Sequence, residues 1–303
     1  MPLTHLYFVA SAFFLALGSV LAKSLLSRSD AVIDPLPFLT LQLLGGLAFL
    51  ALVNLWNVRA REPLPDLARP FLAGVVLGVG SLGTIMALAL ISASEASVIF
   101  ATQPVVIIAL AWGLLGERVS PAVLALSVIA FLGVASIVMG GSEPDAVGRR
   151  AGIAFAAAST ICAAVYVVWM RDLSAKADVL SALIVVQIAA WFVAAAAWGG
   201  GAALELAETR VGSVAVAGSA VATGAIYYGL AFYVYLIGLR STEASTAGMY
   251  LNLVPVFAIA LACAALAERL NTAQWIGAVV VVGAVTGISM LSAGSARRRI
   301  SKG

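Results

Sequence analysis

One histidine, two cysteines and a charged fraction of 10% narrow the field before any motif is read. An ordinary soluble domain carries roughly 25% charged residues, so this chain is too poor in charge to clothe a water-facing surface. None of the 14 acidic residues falls near the centre of an apolar run. A carboxylate held at mid-bilayer serves proton relay, ion coupling or the grip on a cation, and the chain offers no such group. The lone histidine, His5, lies at the amino terminus, which leaves no intramembrane histidine for nucleophilic or metal chemistry. Cys162 and Cys263 both sit inside apolar runs without CxxC spacing, so neither a disulfide framework nor a metal cage is readable. No metal or other cofactor is expected. No P-loop is present, so ATP is not expected to drive the protein directly.

What is abundant is apolar length. Hydrophobic residues make up 63% of the chain and the mean hydropathy is +1.09. A crossing helix needs about 18 or more apolar residues, and ten such runs can be placed: 3–25, 37–57, 70–91, 96–116, 121–140, 151–170, 180–199, 212–238, 244–267 and 273–292. Each is continuously apolar and lacks the period-2 alternation of a barrel strand, so the expected fold is an all-α integral membrane protein with ten transmembrane helices. The first run has no charged leader and no small-residue cleavage site, and it reads as a retained helix. The pI near 9.0 does not point to nucleic acid. Most of the 17 basic residues, including Arg297, Arg298, Arg299 and Lys302 of the tail, fall on one side of the expected topology. The positive-inside rule then places both termini in the cytoplasm. The lipid bilayer is the expected surrounding, and a monomer is compatible with all of this.

The chain also repeats itself. "ATQPVVIIALAWGLLGERV" (101–119) returns as "NLVPVFAIALACAALAERL" (252–270), with Pro104 and Glu117 separated by the same interval as Pro255 and Glu268. The one strong composition break between the copies is "GGSEPDAVGRR" (140–150). This divides the chain into a first five-helix repeat (1–140), a linker (141–150) and a second repeat with a basic tail (151–303). An odd number of spans per copy makes the second enter the membrane upside down, the mark of an inverted repeat that rocks around a midplane site.

A proline followed by an apolar stretch and "GER", closing a fourth span and repeated with "AER" closing a ninth, resembles the EamA family of the drug/metabolite transporter superfamily. "LISASEAS" (90–97) and "LRSTEAS" (239–245) strengthen the resemblance, which covers nearly the whole chain. Shape and length look most like the bacterial amino-acid exporters of the YddG type. The resemblance implies a ten-helix inner-membrane exporter of amino acids or other small metabolites, working by alternating access and not an enzyme. Gln42 stands where many members of the family carry an arginine. Export of drugs or of another metabolite is the alternative within transport. A lipid-modifying membrane enzyme is disfavoured by the missing histidine and paired carboxylates.

Recognition is left to hydroxyl, amide and aromatic groups. Ser159, Cys162, Tyr166 and Trp169 recur at helical spacing on span 6, and Gly224, Tyr228 and Tyr235 share a face of span 8 with Tyr227 beside it. Ser97, Phe100 and Gln103 precede Pro104, Tyr250 and Asn252 precede Pro255, and Ser81 and Thr84 add hydroxyls on span 3. These residues are the expected cavity lining. Lys23, near the outer end of span 1, is either a snorkelling anchor or a contact to a substrate carboxylate. Pro104 and Pro255 are expected to bend spans 4 and 9 as matched hinges. Gly74, Gly78, Gly80 and Gly83 are expected to let span 3 pack closely on its neighbours.

Overall fold

The computed structural model describes residues 2–26, 33–56, 66–91, 102–116, 121–138, 148–203 and 210–266, with isolated positions at 96, 99, 100 and between 272 and 287. All regular structure among them is helical. The helices are α1 (Pro2–Leu26), α2 (Pro35–Trp56), α3 (Ala68–Leu90), α4 (Gln103–Leu115), α5 (Pro121–Val138), α6 (Arg149–Lys176) and α7 (Val179–Ala203). Then comes α8 (Val214–Leu239), which contains a π-helical stretch at Ala225–Ala231. The last, α9, is interrupted: Ala244–Met249, a 3-10 turn at Tyr250–Asn252, and Leu253–Leu266.

Six of these helices are long and apolar enough to cross a membrane: Thr4–Leu26 within α1, α2, α3, Arg150–Lys176 within α6, α7 and α8. Within the expected span 96–116 the described helix, α4, has 13 residues, only about 20 Å at 1.5 Å per residue. Most of the expected tenth span, and both Glu-Arg pairs, lie outside the described residues.

Local chemistry fixes where the helices begin and end. Asp66 accepts from the Ala68 N–H at 2.8 Å at the start of α3, and Asp178 accepts from the Ser181 N–H and hydroxyl at 2.9 and 2.8 Å at the start of α7. Ser213 caps α8 by accepting from the Val216 N–H. Each cap satisfies an N–H that the helix itself leaves open. At the other end of α4, Gly116 adopts φ 65°, the left-handed stop that glycine takes without strain. Large apolar side chains such as Trp56, Trp112, Phe192 and Val214 point outward. Exposure on that scale is what lipid contact requires and what water would penalise.

The helices pair in a pattern that survives an exchange of each with the one five places later. α3 packs on α6 and α7, as α8 packs on α1 and α2; α4 packs on α6, as α9 packs on α1; α2 meets α7, and α4 meets α9. The same packing device serves both copies. A Cβ on Gly45 or Gly224 would lie 1.9 Å from the Val221 carbonyl oxygen or 1.8 Å from that of Gln42, and a Cβ on Gly74 would lie 2.3 Å from that of Val186. Backbones therefore touch where α2 crosses α8 and where α3 crosses α7, the close approach that small residues allow between helices in lipid. Gly78 meets α7 as well, while Gly80 and Gly83 meet α6.

The π-helical stretch of α8 is held from both sides. A π turn displaces the backbone ladder by one residue, and carbonyls in a membrane interior must still find donors. The Ser11 hydroxyl of α1 donates to the Ala231 carbonyl and the Gln187 amide of α7 donates to the Tyr228 carbonyl, both at 2.9 Å. Gln42 donates to the Thr223 hydroxyl at 3.3 Å just ahead of it. Replacing Gln187 with leucine is expected to lower the melting temperature of purified protein by the equivalent of one interhelical hydrogen bond in a bilayer, about 0.6 kcal/mol on average and up to about 1.7.

Candidate functional site

The helices enclose a chamber of about 130 Å³. A water needs about 10–15 Å³ of such space, so it holds several waters or one small solute. Its wall comes from α1, α3, α6 and α8, with Gln103 of α4 and Leu251 of α9 closing it. No lining residue carries a formal charge. One part of the wall is hydroxylic: Ser11, Ser81, Thr84 and Ser159. Thr84 and Ser159 hydroxyls are 2.6 Å apart, linking α3 to α6, and Ser81 pairs with Tyr228 between α3 and α8.

The other part is aromatic. The rings of Tyr227 and Tyr228 meet edge to face at 4.8 Å, and Phe232 lies within 6 Å of Tyr166, Tyr227 and Tyr228. Behind it Phe8 touches Tyr235 edge-on at 5.4 Å and stacks on Tyr250 at 5.2 Å, and the Tyr250 hydroxyl bonds His5 Nδ1.

Of the residues expected from the sequence, Ser81, Thr84, Gln103, Ser159, Tyr166, Tyr227, Tyr228 and Tyr235 come together on this wall, and Cys162 and Gly224 do not. Four more lie elsewhere or pack in the core. Trp169 continues the stripe of Tyr166 but is 42% exposed on the outer surface of α6. Phe100 packs against Ala87, Ile91, Ala96 and Ala156. Tyr250 is buried with His5 and Phe8. Asn252 is buried beside Leu251, and neither its amide nitrogen nor its oxygen has a hydrogen-bond partner. Ser97 and the side chain of Lys23 lie outside the described residues.

Pro104 sits in the first turn of the described helix α4, after Thr102 in a turn, where a proline forfeits no helical hydrogen bond, and Pro255 is the third residue of the Leu253–Leu266 segment, directly after the 3-10 turn of α9. Both prolines stand beside irregular backbone. The irregularity lies just upstream: Thr102 N–H bonds the Ile99 carbonyl, a three-residue step, and Tyr250–Asn252 form the 3-10 turn.

Sequence reasoning missed Ser11, Leu15, Leu77, Ala163, Val167, Phe232 and Leu251 on the wall. Most are plain apolar residues that any core position would accept. Ser11 had a readable signal, a hydroxyl between apolar neighbours in α1, but its partner is a carbonyl on α8, far along the chain.

A multi-pass helical membrane protein with an uncharged internal chamber is the class these observations define. The family model for EamA-like transporters matches residues 2–139 and again 150–290, and the chain belongs to that family. Among solved structures 29 chains match. One of them, titled only "Crystal structure of protein", superposes with a TM-score of 0.74 over 93% of this chain and 98% of its own at 23% identity, a shared fold. No curated protein matches.

Proposed function

We propose that the protein is a secondary transporter that exports small neutral or zwitterionic metabolites, amino acids foremost, across a bacterial inner membrane by alternating access. In this reading the chain crosses ten times as two inverted five-helix copies, 1–140 and 151–303, joined by the linker 141–150, with both termini in the cytoplasm. The observation that carries it is the chamber itself: hydroxyls and aromatic rings, no fixed charge, set where helices of the two copies pack in an exchange-symmetric pattern. Inverted copies place solute sites at their interface near the midplane. An uncharged wall suits a solute whose charges are absent or balanced within itself, because an unpaired ion would be desolvated there at high cost. The breaks before Pro104 and Pro255 are the natural swivels of this scheme, since irregular backbone ahead of each restart bends with few hydrogen bonds to lose.

The test is uptake of the twenty labelled standard amino acids into proteoliposomes, with and without a pH gradient. Saturable uptake of at least one, without need of the gradient, is expected. Uptake of none would refute the amino-acid reading, and a strict need for the gradient would refute uncoupled passage.

A further inference from the structure

Most polar groups on the chamber wall are already occupied. Thr84 is paired with Ser159, Ser81 with Tyr228, and Ser11 with the Ala231 carbonyl. Two are not. The phenol oxygens of Tyr166 on α6 and Tyr235 on α8 have no hydrogen-bond partner, although the residues are only 3% and 5% exposed. Arg171 Nε, Gln187 Oε1, Trp191 Nε1 and both amide atoms of Asn252 also lack partners, but these residues do not line the chamber. A buried hydroxyl without a partner is a standing penalty that phenylalanine would avoid with the same ring. Packing alone therefore does not account for two tyrosines. Their rings are held in place, Tyr166 by Phe232 at 5.8 Å and Tyr235 by the edge of Phe8, so the positions of both phenol oxygens are set in advance. A phenol donates a hydrogen bond yet carries no charge at neutral pH. It is a donor that a lipid-embedded chamber can hold without the desolvation cost of a lysine or arginine.

We propose that Tyr166 and Tyr235 form a two-donor clamp for the acceptor oxygens of the transported solute, the carboxylate of an amino acid, so that the chamber selects this group without a fixed cation. The clamp rests on the transport reading above and names the contact that gives it specificity. Binding supplies the missing acceptors, and the penalty carried by the empty wall is relieved when the solute arrives.

Proteoliposomes containing wild type, Tyr166→Phe, Tyr235→Phe or both are compared. The probes are the amino acid that wild type moves fastest, its primary amide and its decarboxylated amine, the last two as competitors. Each single variant is expected to raise the half-saturating concentration of the amino acid about tenfold or more, the strength of a hydrogen bond to a charged acceptor. Competition by the amide, which keeps a carbonyl oxygen, is expected to weaken less, and competition by the amine not at all. Wild-type behaviour in all variants would overturn the clamp and leave the transport reading standing. A lowered melting temperature with equal losses for acid and amine would assign the hydroxyls to packing and overturn it too. A wild type that moves none of the twenty amino acids would remove the amino-acid reading and the clamp with it.

Discussion

Replacing Gly224 with alanine is expected to cost the protein much of its folded, monodisperse population, while the same change at Gly218, on the same helix, is expected to cost nothing. A Cβ at 224 would sit 1.8 Å from the carbonyl oxygen of Gln42, 2.4 Å from its carbonyl carbon and 2.5 Å from its Cα. These are backbone atoms of a packed helix and have no rotamer through which to yield, so α2 and α8 must separate. Overpacking of this kind typically costs about 1–3 kcal/mol. Here the displacement would also pull Gln42 from Thr223 and loosen the approach to the π-helical stretch. At Gly218 no atom lies within 4 Å of the added methyl, and alanine is the better helix former. Melting temperature and size-exclusion profile of the two purified variants provide the comparison. Equal behaviour would show that α2 and α8 are not packed backbone to backbone.

Replacing Ser81 with phenylalanine is expected to reduce transport to about a tenth or less while leaving a folded protein. Ser81 lies on the chamber wall, and a phenyl group entering a space of about 130 Å³ fills what the solute would occupy. Overpacking is moderated because the ring enters a void and not a filled core. The matched control is Val79→Phe on the same helix, at a position 50% exposed to the surroundings of the bundle, where no change in uptake is expected. Initial rates in proteoliposomes, scaled to reconstituted protein, separate the two. Full activity of Ser81→Phe would place the solute path elsewhere.

The helical class and the duplication were legible in the sequence because each rests on bulk properties: continuous apolar length, and a proline and Glu-Arg pair that recur at one interval. The polar and aromatic stripe of α6 was legible for a similar reason, since residues at helical spacing share a face whatever they pack against. The site was only partly legible. Trp169 follows Tyr166 on the same stripe yet faces outward, because the buried arc of α6 is narrower than the stripe, and the width of that arc is set by α3, α4 and α8. The π-helical stretch at Ala225–Ala231 has no signature in composition. It depends on donors supplied by Ser11 and Gln187 from helices distant in the chain. The same limit applies to the prolines, whose effect turns on where a helix restarts. The turns at Thr102 and at Tyr250–Asn252 lie within apolar runs that read as uninterrupted.

Alternating access requires a chamber that opens to one side of the membrane and then to the other. The most direct measurement uses a Ser81→Cys variant in a background without Cys162 and Cys263, treated with a membrane-impermeant maleimide in right-side-out and in inside-out vesicles. Labelling from both sides, slowed in each case by the transported solute, is the predicted result. Labelling from one side only, in a variant that still transports, would contradict it.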